Sequence, residues 1–171
     1  MKALYYDADK EIIWIGTHLG GMNRLDIRSG HFTHYRMEGN NPQSLPSDII
    51  RDITPYKDLL IIATQNGVCL FNPANGQCRQ LFKDSKEGKS IKMVADVVFD
   101  SEGTLWIAAT GEGVFSYRFD TRKLTNYRHD AANPNSLSNN NVNNITQDSK
   151  GNLWFSTSGS GLDLYRPETN D

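Results

Sequence analysis

Residue types capable of chemistry are present in this sequence, but few are spaced for it. Four histidines invite a metal reading. His31 and His34 are three apart on an expected strand, so they face opposite sides. His18 and His129 belong to different turns, so no pair has the spacing of metal ligands and no metal is expected. Gly111-Glu112-Gly113 and Gly159-Ser160-Gly161 look like half a phosphate loop, yet neither precedes a helical pattern. The same context removes Ser160 as a nucleophile, because a nucleophile elbow joins a strand to a helix. Asp7, Asp100 and Asp148 recur just before turns and read as turn caps, not as paired acids. The amides of Asn139, Asn140, Asn141, Asn143 and Asn144 could bind sugar, and the plainer reading has them satisfy linker backbone. Cys69 and Cys78 are too few for a disulfide framework and too far apart for a CxxC motif. They read as two packed, inert thiols of a strand pair, with a bridge between them as the alternative.

The elements that must position these residues repeat. Four segments align: Ile13-Trp14-Ile15-Gly16-Thr17, Leu60-Ile61-Ile62-Ala63-Thr64, Leu105-Trp106-Ile107-Ala108-Ala109 and Leu153-Trp154-Phe155-Ser156-Thr157. Their second positions step by 47, 45 and 48 residues. A glycine follows each: Gly21, Gly67, Gly113 and Gly161. The linkers repeat as well, Asn41-Pro42-Gln43-Ser44-Leu45 matching Asn133-Pro134-Asn135-Ser136-Leu137 at a distance of 92. In the third repeat, strands are expected over Met93–Phe99, Thr104–Ala109, Gly113–Phe119 and Lys123–Arg128, separated by turn residues. No stretch carries a sustained helical period, so almost no helix is expected.

Four short antiparallel strands per 40–50 residues is the signature of a β-propeller blade. The expected fold is therefore all-β, with about four four-stranded blades near 3–37, 49–82, 93–129 and 142–166 in one segment, 1–171. The last blade lacks its outer strand, giving fifteen strands in a partial or four-bladed ring. The second strand of each blade is apolar on both faces, as expected of a strand packed between neighbours. Trp14, Trp106 and Trp154 are assigned to that core, and Gly16, Ala63, Ala108 and Ser156 to its narrow part.

Composition excludes other classes. The chain has 171 residues, 37% hydrophobic and 22% charged, which is globular. A net charge of −2 gives no footprint for nucleic acid. The longest apolar run, Leu59–Ala63, is far short of the ~20 residues of a membrane span. The first seven residues lack the apolar stretch of a signal peptide.

The repeats resemble the two-component regulator propeller family. The resemblance rests on Asp148-Ser149-Lys150-Gly151-Asn152-Leu153-Trp154-Phe155-Ser156-Thr157 with Gly161-Leu162, on the linker from Tyr127 to Asn139, on Gly20–Asp26 and on Gly30–Tyr35. It covers nearly the whole chain; the second repeat departs, with Ile61 for Trp and a turn, Gln65-Asn66, one residue shorter. It implies the periplasmic sensor region of a hybrid two-component histidine kinase, with ligand sensing, often of oligosaccharides, by a segment that is not itself catalytic. It implies no cofactor and no membrane contact by this segment. At about 3.6 repeats, the chain is expected to be a piece of such a sensor, either self-associating or joined by the parent's remaining blades.

Ligand sites on propellers lie on loops at one end. The turns after the Trp strand are expected there with the long linkers, which nominates His18, Gln65, Asn66, Glu112 and Ser158 as contacts for a small carbohydrate. The plain alternative is solvated turns. A second resemblance, to virginiamycin B lyase-like propellers, implies an enzyme with a metal and histidine at the axis, and the histidine spacing argues against it. A third reading is a purely structural fragment.

If Trp106 is core, Trp106→Ala should lower unfolding stability by about 3–5 kcal/mol in a urea titration. An unchanged midpoint with lost ligand binding would make it a binding platform instead.

Overall fold

The computed structural model describes residues 2–86 and 88–166. Residues 1, 87 and 167–171 of the expected 1–171 segment lie outside the described residues. Fifteen strands form four consecutive antiparallel sheets. The first holds β1 (Ala3–Asp7), β2 (Ile12–Gly16), β3 (Met22–Asp26) and β4 (Phe32–Tyr35). The second holds β5 (Ile50–Tyr56), β6 (Leu59–Thr64), β7 (Gly67–Asn72) and β8 (Gln77–Gln80). The third holds β9 (Val94–Phe99), β10 (Leu105–Ala109), β11 (Gly113–Tyr117) and β12 (Leu124–Tyr127). The fourth holds, among the described residues, β13 (Val142–Gln147), β14 (Leu153–Thr157) and β15 (Gly161–Tyr165). Neighbours in sequence are neighbours in each sheet, as in a propeller blade. A single 3-10 turn at Gly88–Ser90 is the helical content among the described residues, and no helix there is long and apolar enough to cross a membrane.

The sheets fall into two compact units, Met1–Asp84 with sheets one and two, and Ser85–Asp171 with sheets three and four. In the first unit, Ala3, Tyr5, Trp14 and Met22 alternate onto one face of sheet one. That face packs on Ile50, Ile53, Leu60, Ile62, Cys69 and Phe71 of sheet two. The rings of Trp14, Tyr35 and Phe71 close this contact, with centroids 4.9–6.0 Å apart. In the second unit, Trp106, Ala108 and Val114 pack on Val142, Ile145, Leu153 and Phe155. Trp106, Tyr127 and Tyr165 repeat the triad at 5.0–5.5 Å.

Small residues sit where the sheets approach. A Cβ on Gly16 would stand 2.6 Å from Ile50 Cγ2. Gly21 and Gly113 have φ of +69° and +82°, and a side chain on either would run into the carbonyl oxygen of Tyr35 or Tyr127.

The caps do more than hold turns. Asp100 Oδ1 accepts from Glu102 N and Thr104 N, while its Oδ2 accepts from Trp106 Nε1 at 2.8 Å. Asp148 does the same, with Lys150 N and Asn152 N on Oδ1 and Trp154 Nε1 at 3.0 Å on Oδ2. One carboxylate thus fixes both a turn and the rotamer of the tryptophan six residues on. Asp7, seven residues before Trp14, instead takes Lys10 N and Lys10 Nζ.

Three expectations need correction. The second strand is buried throughout in β10, and in β6 beyond its first residue, but β2 and β14 alternate buried with half-buried residues. The half-buried residues are Ile13 and Ile15 on one face of sheet one and Trp154 and Ser156 on one face of sheet four. Trp154 is half-buried, whereas Trp14 and Trp106 are buried. Cys69 and Cys78 are also not free thiols, because they form a disulfide. Phe71 pairs with Cys78 and Cys69 with Gln80, so the cysteines are diagonal neighbours on one face of β7 and β8. Their Cα atoms are 5.9 Å apart, inside the span a disulfide bridges.

The disulfide closes a nine-residue separation, and the double variant Cys69→Ala/Cys78→Ala should lose about 2–3 kcal/mol by urea titration under non-reducing conditions. Hydrogen bonds from the Asn152 amide and the Trp154 indole hold the Asp148 carboxyl at about 2, below its ordinary 3.8. A depressed carboxyl stabilises the fold above its unfolded value and loses that contribution as pH falls through its folded value. The destabilisation by Asp148→Asn should therefore be full near neutral pH and shrink between about pH 4 and about pH 2. A gap independent of pH would show that the carboxylate charge plays no part.

Candidate ligand-binding end

The linkers after β4 and β12 are built from local capping. Asn41 Oδ1 accepts from Gln43 N, and Asn133 Oδ1 from Asn135 N. Ser44 Oγ accepts from Glu38 N and donates to Glu38 O, and Ser136 Oγ does both with Asp130. Each loop is then nailed down by one buried leucine, Leu45 or Leu137. Beyond the leucine, a backbone carbonyl grips the strand-two turn. Asp48 O accepts from Leu19 N and Gly21 N, and Asn140 O from Gly111 N and Gly113 N, all within 2.9–3.1 Å. Arg36 donates to Leu19 O at 2.7 Å, and Arg128 to Gly111 O at 3.4 Å. Within each unit, turns and linkers therefore share one end, bond for bond.

The two ends differ in the acid that meets the arginine. Arg36 pairs with Asp48 at 3.7 Å, whereas Arg128 pairs with Glu112. Position 140 is an asparagine, and its Oδ1 accepts from His129 N as Asp48 Oδ1 does from Met37 N.

Of the nominated residues, His18, Gln65 and Asn66 belong to the first unit. His18 makes a bridge with Ile49, and Gln65 N donates to Ile49 O at 3.0 Å, so both flank one linker residue. Asn66 Nδ2 reaches Pro46 O at 3.3 Å. Gln65 Oε1 accepts from Arg51. In the second unit, the Glu112 carboxylate is held by Arg128. Ser158 N donates to Asn141 O, and its Oγ accepts from Asn143 Nδ2. Gln65, Asn66, Glu112 and Ser158 thus spend polar groups on the fold, and His18, Asn66 and Ser158 stand exposed. The asparagine run behaves as structural capping: Asn139 Oδ1 accepts from Asn141 N, and Asn144 Nδ2 donates to Asp96 Oδ2.

Clefts occur elsewhere. One of about 350 Å³ is lined by Asp100, Glu102, Arg118, Lys123, Tyr127 and Tyr165. Burial and a hydrogen bond with Tyr127 push the Tyr165 phenol well above its ordinary value. Another, about 300 Å³, lies between the first linker and the turn before β8, and includes Tyr35, Glu38, Gln43, Ser44 and Gln77. Neither takes in any of the five nominated residues. Sequence reasoning missed the roles of Arg36, Arg128 and Asp48, and weighed Asn140 only within the asparagine run, although each of the pairs Arg36/Arg128 and Asp48/Asn140 lies at the same offset of 92 as the linker motif.

The end that these bonds organise contains the segment on which a comparison with known families falls. Residues 136–159 match the two component regulator propeller family. The matched stretch runs from the Ser136 cap through the Asp148 turn to the strand carrying Trp154. No curated protein matches the chain. Among solved structures, the chain is similar to the extracellular domain assigned to the hybrid two component system BT3049 of B. thetaiotaomicron. Identity is 23% and the TM-score 0.83, over 98% of this chain and 22% of that one. The extracellular domain assigned to BT4673 of the same organism gives 23% identity and a TM-score of 0.74, over 95% and 21%. Virginiamycin B lyase from Staphylococcus aureus gives 15% identity and 0.63, over 99% and 57%. These likenesses show the propeller fold. The chain spans about a fifth of the two extracellular domains it matches.

Proposed function

We propose that this chain is a sensing segment of a two-component system, exposed outside the cytoplasm and binding a small carbohydrate without transforming it. The observation that carries this reading is the match over residues 136–159, which falls on the linker and Asp–Trp strand whose linker bonds recur in the first unit. The Cys69–Cys78 disulfide supports an oxidising compartment, because such bonds persist in periplasmic and extracellular proteins. The turn-and-linker end suits a neutral polyol. It offers exposed amide and imidazole groups at Asn66 and His18 on a backbone already hydrogen-bonded in place. Such preorganisation lowers the ordering cost of binding. Signalling would follow from differential affinity: a ligand that prefers one arrangement of propeller and neighbouring domains shifts the population toward it.

Titration calorimetry against a panel of neutral pentose and hexose oligosaccharides should give a saturable heat. Asn66→Ala and His18→Ala should each weaken it at least several-fold while leaving the urea midpoint unchanged. Absence of binding across the panel would remove the carbohydrate reading. Turnover of quinupristin by the chain would replace it with that of a lyase.

A further inference from the structure

We propose that the cleft between the first linker and the β7–β8 hairpin is a binding site for a neutral disaccharide, separate from the turn-and-linker end. The cleft is about 300 Å³, and both of its walls lie in the first unit. Asn41, Gln43 and Ser44 of the linker form one wall, and Asn75, Gly76 and Gln77 of the hairpin the other. Tyr35 and the buried Leu45 also line it. A second cleft, about 450 Å³, shares Gln43, Asn75 and Gln77 and adds Leu59 and Leu70. Both volumes fall within the ~300–1,000 Å³ of small-ligand pockets. The walls are fixed before any ligand arrives, which keeps the ordering cost of binding low. Cys78 N donates to Gln43 O at 2.7 Å, so the linker is bonded to the edge of β8, and the Cys69–Cys78 disulfide ties β8 to β7. In the hairpin, Gly76 N donates to Asn72 O at 2.8 Å and Gln77 N to Asn75 Oδ1 at 3.0 Å. Gly76 has a φ of +72°, and a Cβ there would stand 2.9 Å from Tyr35 Cε1, so the hairpin rests against the tyrosine ring.

The ligand class follows from the groups left over. Asn75 Nδ2 donates to Gln77 Oε1 at 3.1 Å, and Asn41 Nδ2 to Glu38 Oε2 at 3.0 Å. Those bonds leave, among the described residues, the Gln77 amino group, one Glu38 oxygen and the whole Gln43 side-chain amide without a partner. An amide both donates and accepts, as a sugar hydroxyl does, so Gln43 and Gln77 match adjacent hydroxyls. The remaining Glu38 oxygen accepts from a hydroxyl and repels an anion. Arg36, which lines the same cleft, is spent on Leu19 O and Asp48. These groups select a neutral polyol. Two clefts sharing a ridge of amides fit two sugar rings, with Leu59 and Leu70 against the apolar face of one of them. Neither His18 nor Asn66 lines either cleft, so the two sites stand or fall separately.

Side-chain amide NMR of the isotope-labelled chain, titrated with maltose, cellobiose and lactose, tests it. At least one of these disaccharides should move the Gln43 and Gln77 amide signals saturably. The double variant Gln43→Ala/Gln77→Ala should weaken binding several-fold, read from the Asn41 and Asn75 amides. Both side chains are exposed and their backbone bonds survive the substitution, so the urea midpoint should stay that of the wild type. Asn66→Ala should leave this titration unchanged. No shift at Gln43 and Gln77 with any of the three sugars overturns the proposal, as does a double variant that binds like the wild type. Shifts confined to His18 and Asn66 overturn it too, and leave the turn-and-linker reading standing.

Discussion

Two packed sheets of three or four short strands have little to hold them in register except the side chains between them. Here that task falls to three rings. A tryptophan on the second strand, a tyrosine on the fourth and an aromatic on the third strand of the next sheet meet within about one ring's width. Tilted and edge-on contacts of this kind add directional attraction to the area buried. The remaining devices serve the triad. The Asp100 and Asp148 carboxylates set the indole rotamers of Trp106 and Trp154. Gly21 and Gly113 let the backbone pass under Tyr35 and Tyr127, and Leu45 and Leu137 pin the linkers that follow those tyrosines.

Much of this was legible because it is local and periodic. The strands of the third repeat fall within one or two residues of where alternation and turn residues place them. The Asp–Trp latch was half legible: Asp100 and Asp148 were recognisable as caps, but the second oxygen's partner depends on the hairpin bringing the indole back over the turn. The disulfide was not legible, because it hangs on which residues of β7 and β8 face each other, and a slip of one residue would turn the thiols apart. Trp154 shares its motif with Trp14 and Trp106, and its burial depends on what packs against its face, which no local pattern encodes.

The candidate site shows the same division. Sequence position indicated that turns and linkers meet, and within each unit they do. It could not say which polar groups remain free. Glu112 looks available along the chain, yet Arg128, sixteen residues away, holds it. Gln65 is similarly taken by Arg51. His18 and Asn66 stand exposed, although Asn66 also gives its Nδ2 to Pro46 O.

The linker bonds recur at one offset, 92, while neighbouring repeats are spaced 47, 45 and 48 apart. The shortened turn at Gln65-Asn66 belongs to the second sheet and has no counterpart in the fourth. The offset is 92 from Trp14 to Trp106 but 93 from Ile61 to Trp154. In mechanical terms, the joint is the standard part, and the spacing between joints tolerates a residue more or less.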